Sequence, residues 1–103
     1  MIVKIKKSNL ENKKMMAEFY EIFKVPGKMV IEKTKTIHFG QAGASDFTIS
    51  KNLEQKQRYI NRHEKNENWN NPMTAGSLSR WILWNKPTLK ESIKDYKKKF
   101  NLS

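Results

Sequence analysis

Residues 15–39 read MMAEFYEIFKVPGKMVIEKTKTIHF, and the fold class turns on whether their first half is helix or strand. Met16, Phe19, Tyr20 and Phe23 fit the i, i+3, i+4, i+7 spacing of a helix, whereas the aromatic enrichment suits a strand. Pro26-Gly27 breaks the chain in either case and marks a turn. Met29–Phe39 is β-branched and partly alternating, which reads as a strand ending at Gly40. A hairpin around Val25–Lys28 joins the two halves most economically, so residues 15–24 are read as its first strand. Upstream, Ile2–Lys6 (IVKIK) alternates apolar and cationic residues with the period of a short strand, and polar Ser8–Lys14 connects it to the hairpin.

Downstream, Gly40–Ser45 (GQAGAS) is a link where the composition turns from β-branched to helical. Asn52 stands three residues before Gln55, a capping-box-like start. Leu53, Tyr59, Ile60 and His63 then line one side of a helix over residues 52–65, with Lys56, Arg58, Arg62 and Lys65 on its other faces. Lys65–Pro72 (KNENWNNP) reads as a surface loop with Trp69 folded back onto the core. Thr74 caps a second helix striped by Leu78, Trp81, Ile82 and Trp84, which Asn85-Lys86-Pro87 ends. Thr88 and Glu91 form a T-x-x-E capping box, and Leu89, Ile93, Tyr96 and Phe100 recur with the clearest helical period in the chain. The expected architecture is α+β: an N-terminal β-hairpin or small antiparallel sheet, then three short amphipathic helices. One domain over residues 1–103 is all that 103 residues can support, with 1–40 mainly strands and 52–100 helical.

Lysine and arginine number 21 against 10 acidic residues, a formal net charge of +11. That exceeds what solubility asks of a small domain and attracts polyanions. Residues 51–103 are the more basic half, so the candidate phosphate-contacting residues are Lys56, Arg58, Arg62, Lys65 and Arg80, then Lys86, Lys90, Lys94, Lys97 and Lys98. The last four gather along the C-terminal helix, where they also complement its dipole. Only three of the 21 cations are arginine, the residue that forks onto guanine edges, so backbone binding is favoured over sequence reading. Two plainer readings compete: A/T-rich codons alone enrich Lys, Asn and Ile, and Lys97–Lys99 suit a solubilising tail.

Other chemistries find little support. There is no cysteine, hence neither a disulfide framework nor a thiolate metal site. His38 and His63 share no zinc-site or triad spacing, and Glu64, Glu67, Glu91 and Asp95 are scattered among lysines. Gly40, Gly43 and Gly76 match neither a Walker nor a dinucleotide loop. The expectation is a protein without catalytic, metal or cofactor sites and without a small-molecule substrate. No apolar run approaches the roughly 18 residues of a membrane span, so no membrane partner is expected and the chain reads as soluble and intracellular. Trp81 reads as core; for Trp69, base stacking and core packing both stay open.

The stretches HFGQAGASDFTISKN and RYINRHEKNENWNNPMTAGSLSRWILWNKPTLKESIKDYKKKF together resemble a family of small basic proteins of nucleocytoplasmic large DNA viruses, chlorella-virus and mimivirus relatives among them. The resemblance runs from about Lys33 to Phe100, and its core is T-A-G-x-x-S-R-W-I-L-W-N-K-P-T-L-K-x-S-I. Residues 1–32 depart from that family's pattern, which has a shorter strand pair before its H-F-G element. Arg58, Arg62, His63, Arg80 and Trp84 fall within its signature stretches. The resemblance implies a DNA-associated role in the virion or in the viral factory of the host cytoplasm, and it carries no catalytic residues.

Charge and resemblance combine into one expectation: a sequence-independent DNA-binding protein that condenses or organises a large viral genome, its partner the phosphate backbone of double-stranded DNA. Bridging two duplexes then requires self-association or cations on two sides of the molecule. The alternatives are a virion structural or adaptor protein for acidic protein partners and an RNA-binding module that stacks bases on Trp69.

Overall fold

In the computed structural model, which describes residues 1–103, the first 41 residues form a three-stranded antiparallel meander. Its strands are β1 (Ile2–Lys7), β2 (Lys13–Val25) and β3 (Lys28–Gln41), in the order β1-β2-β3. The 15–25 segment is strand, paired along its length with β3 and over residues 15–20 with β1. Ala17 and Phe19 are fully buried on one face, and Phe23 continues that face but is 45% exposed, because the hairpin there outruns the helices. Pairing sets Val3 beside Phe19, Ile5 beside Ala17, and Met15 beside Phe39, so one sheet face is a continuous apolar surface.

Four helices cover that face: α1 (Phe47–Ser50), α2 (Leu53–His63), α3 (Ala75–Leu78) and α4 (Leu89–Lys99). This corrects the expected three, because the link after the sheet is shorter than its composition implies. β3 runs through Gly40 and Gln41, and buried Asp46 caps the unforeseen turn of α1 by accepting the Thr48 N–H. The three sequence-legible caps are all present: Asn52 accepts from Gln55 N–H, Thr74 from Ser77 N–H, and Thr88 from Glu91 N–H. α3 continues into a π-helical turn, Ser79–Leu83, in which the Trp84 N–H reaches five residues back to the Ser79 carbonyl.

One cluster joins the sheet residues Val3, Ala17, Phe19 and Phe39 to Phe47, Tyr59, Leu78, Ile82, Leu83, Trp84 and Tyr96 of the helical half. Gly40 allows a close approach of the two halves, since a Cβ there would lie 2.7 Å from Leu83 Cδ1 and its φ is +78°. Two expected core positions are not core. Leu53 is exposed at the first turn of α2, and Leu89 stands at the edge of exposure, each at the N-terminus of a helix whose packed face begins a turn later. At the far end, Val3 N–H donates to the Ser103 carbonyl and Ser103 N–H to the Met1 carbonyl, which ties the residues after α4 to the outer edge of β1.

β1 pairs with β2 only as far as Tyr20. Beyond it, β2 and β3 continue as an unaccompanied two-stranded arm, closed by Pro26-Gly27 with Gly27 at the positive φ of +84° that the third position of a type II turn requires. A bulge marks where the arm leaves the body: Phe19 faces Lys35 but Tyr20 faces Lys33, so Thr34 is extra, and its hydroxyl donates to the Phe19 carbonyl. The molecule measures 53 × 28 × 25 Å.

Candidate nucleic-acid interface

Three of the 21 lysines and arginines reach a carboxylate: Lys6 and Lys33 at Glu18, and Lys14 at Asp46. The other eighteen have no ion-pair partner. Charge that the fold itself does not neutralise is available to an external anion.

Arg58 and Arg62 stand one turn apart on α2, so their side chains share a side of the helix. Both are exposed and line a cleft of about 570 Å³ beside the start of β2, together with Lys13, Gln55 and His63. The cleft also holds two acids, but each is already engaged. Asp46 takes the Lys14 ammonium, and Glu67 lies 3.5 Å from His63 Nδ1 and accepts the Trp69 indole N–H at 3.0 Å. Lys13, Arg58 and Arg62 therefore set the sign of the cleft, and the buried Gln55 Oε1 on its wall has no hydrogen-bond partner. Behind it, Trp84, Tyr59 and His63 stack in sequence at 4.5 Å and 4.4 Å, which stiffens the helix that carries the arginines. Burial pushes the Tyr59 phenol up to about 12, with the Glu67 charge adding to it, so it stays neutral.

Lys90, Lys94, Lys97 and Lys98 follow one another at spacings of four, three and one on α4 and form a second cationic stripe, with Lys97 half-buried and the other three exposed. Lys86 is exposed just before that helix and Lys65 just after α2.

Two of the ten sequence candidates differ from the rest. Lys56 Nζ donates to the Asn85 carbonyl at 2.7 Å and lies 4.9 Å from the centre of the Phe47 ring. Burial lowers its pKa, and the nearby Arg80 and Lys86 charges lower it further. Arg80 is half-buried, donates through Nη1 to the Trp84 carbonyl at 2.7 Å, and packs its guanidinium against Trp81 and Trp69. Both charges are turned into the fold, where they cap the carbonyls released at the end of the π-helical turn.

The outer face of the sheet holds cations that the sequence reading left out of the candidate set. Lys4, Lys6 and Lys33 surround Glu18, whose carboxylate lies 2.7 Å from Lys6 and 3.0 Å from Lys33. The signal was present in IVKIK, since alternation that sends Val3 and Ile5 inward sends Lys4 and Lys6 outward. The hydrogen bonds from Lys6 and then Lys33 bring the Glu18 pKa from 4.5 down to about 2. A depressed carboxyl stabilises the fold above its unfolded pKa and loses that contribution as pH falls through the folded one. The thermal midpoint should therefore fall between about pH 4.5 and 2, and circular-dichroism melts of Glu18→Gln should show a flatter profile in that window.

Comparison with known proteins adds a family but no function. A profile described as a family of unknown function, DUF5754, matches residues 3–63, more than half of the chain. The chain belongs to that family. The matched span holds the sheet from Val3 onward, α1 and α2, so the family covers both the arm and the arginine-bearing helix. It overlaps the viral resemblance over residues 33–63 but stops before its T-A-G-S-L-S-R-W core, and its description names no virus and no partner. No curated protein and no solved structure matches the chain.

Proposed function

We propose that this protein binds double-stranded DNA without regard to sequence and condenses or organises a large viral genome. The observation that carries the reading is the +11 net charge, with eighteen of the 21 lysines and arginines outside any ion pair. The cations stand on helices held by a packed aromatic core, so less entropy is lost in ordering them on a phosphate chain than for a mobile tail. Their chemistry suits phosphate rather than base edges, because lysines predominate. Trp69 and Trp81 pack against the core and donate their indole N–H groups within the protein, which weighs against base stacking and therefore against the RNA alternative. The viral setting rests on the resemblance of residues 33–100.

The test is binding of a random-sequence duplex, followed by fluorescence anisotropy between about 50 and 200 mM salt. Neutralising about six phosphates should give a slope of log affinity against log salt near −5. Tight binding that ignores salt, or none in dilute buffer, overturns the reading.

A further inference from the structure

The arm formed by residues 20–33 has no third strand and no helix over it, yet it is not a polar ribbon. Ile22, Phe23, Val25, Met29, Val30 and Ile31 are all exposed, between 36% and 60%. A lone two-stranded hairpin is marginal in water, so such an arm gains from a cover. Its two faces differ in a way that selects the cover. On the face that continues the core side of the sheet, the cross-strand pairs from base to tip are Glu21 with Glu32, Phe23 with Val30, and Val25 with Lys28. Neither glutamate is in an ion pair, and carboxylates directly opposite each other repel. The order is therefore negative, apolar, positive. A surface of that order matches itself when turned end for end: Lys28 meets the Glu21 and Glu32 of a second copy, and the Phe23 and Val30 pairs lie on one another.

The other face reads Tyr20 with Lys33, Ile22 with Ile31, and Lys24 with Met29. Turned end for end, it would oppose Lys24 to Lys33. That face repels its own copy.

We propose that the arm is a self-association surface, with two copies packed antiparallel about a two-fold axis through the Phe23–Val30 pairs. Such an isologous contact closes at a dimer. It stands whether or not the partner of the cationic surfaces is DNA; where DNA is the partner, it supplies two cationic bodies at opposite ends of one particle, as bridging needs. The face is three cross-strand pairs long, well below the roughly 800 Å² per partner of a standard interface, so a Kd of about 10–100 µM is expected.

Sedimentation of the full chain in the absence of DNA tests this over a range up to about 0.5 mM, which brackets that Kd. A monomer–dimer equilibrium is expected. Phe23→Ser should weaken it by about tenfold or more, and Ile22→Ser on the opposite face should leave it unchanged. Lys28→Glu should weaken it similarly through like-charge opposition, and the combined E21K, E32K and K28E reversal should restore it. Circular dichroism of each variant confirms that the fold is kept. A chain that stays monomeric throughout, an Ile22→Ser effect equal to that of Phe23→Ser, or a charge reversal that fails to restore association would each overturn the proposal. So would a monomer whose duplex affinity falls on Phe23→Ser, which would make the arm a wedge for DNA.

Discussion

Asp46→Ala should lower the stability of the fold by about 3–5 kcal/mol, the cost of leaving one member of a buried ion pair alone. The side chain of Asp46 is 3% exposed and that of Lys14, on β2, is 15% exposed. The carboxylate also accepts the Thr48 N–H at 2.8 Å and the Thr48 hydroxyl, so it is at once the N-cap of α1 and the point at which the helical half is fastened to the sheet. Removing it orphans a half-buried ammonium and a helix N–H together. A domain of this size commonly has about 5–15 kcal/mol in all, so a large part of it would be lost. Asp46→Asn keeps an acceptor for Thr48 and removes the charge, and its loss should be smaller. In Asp46→Ala/Lys14→Met the orphaned charge is gone as well, and the double variant should recover much of the stability. Urea unfolding of the three variants measures each step. A loss below about 1 kcal/mol in Asp46→Ala would show that water replaces the pair without penalty.

Asp46 also marks the limit of what local sequence discloses. The strands, the Pro26-Gly27 turn and the caps at Asn52, Thr74 and Thr88 are legible because each is fixed by residues within four positions of one another. α1 has four residues and no period, and it owes its place to a lysine 32 positions earlier. No spacing rule reaches that far. The free arm was half legible: IVKIK is much shorter than either hairpin strand, so the ribbon had to outrun its third strand, but alternation alone does not say that helices fail to cover the remainder. For the cations, composition supplies the number and the core supplies the direction. Arg58 and Arg62 point to the cleft from consecutive turns of a helix whose apolar face is readable. Lys56 and Arg80 turn inward because carbonyls of Asn85 and Trp84 are left without partners where a π-helical turn ends, and that ending has no signature in Ser79–Leu83.

That difference in direction separates structural from phosphate-facing charge by experiment. Arg80→Ala removes a charge-assisted hydrogen bond to a backbone carbonyl and the packing of a guanidinium on two indole rings, 4.3 and 5.4 Å from their centres. The expected loss of stability is about 2–4 kcal/mol, from the hydrogen bond and the buried stem together. Arg58→Ala and Arg62→Ala remove exposed side chains with no ion-pair partner, and each should change stability by no more than about 0.5 kcal/mol. For duplex binding the ranking inverts. Each exposed arginine that meets a phosphate contributes close to one charge to the salt slope, so its removal should bring the slope toward zero by about 0.9, whereas Arg80→Ala, assayed in the cold where it remains folded, should leave the slope unchanged. Lys56→Met should resemble Arg80→Ala, because burial already disfavours its charged form and its ammonium is held by Asn85. If instead Arg80→Ala were stable and lost the slope, the guanidinium would have to leave the indole rings to reach DNA, and the aromatic core would be a binding platform rather than the scaffold that holds the cations in place.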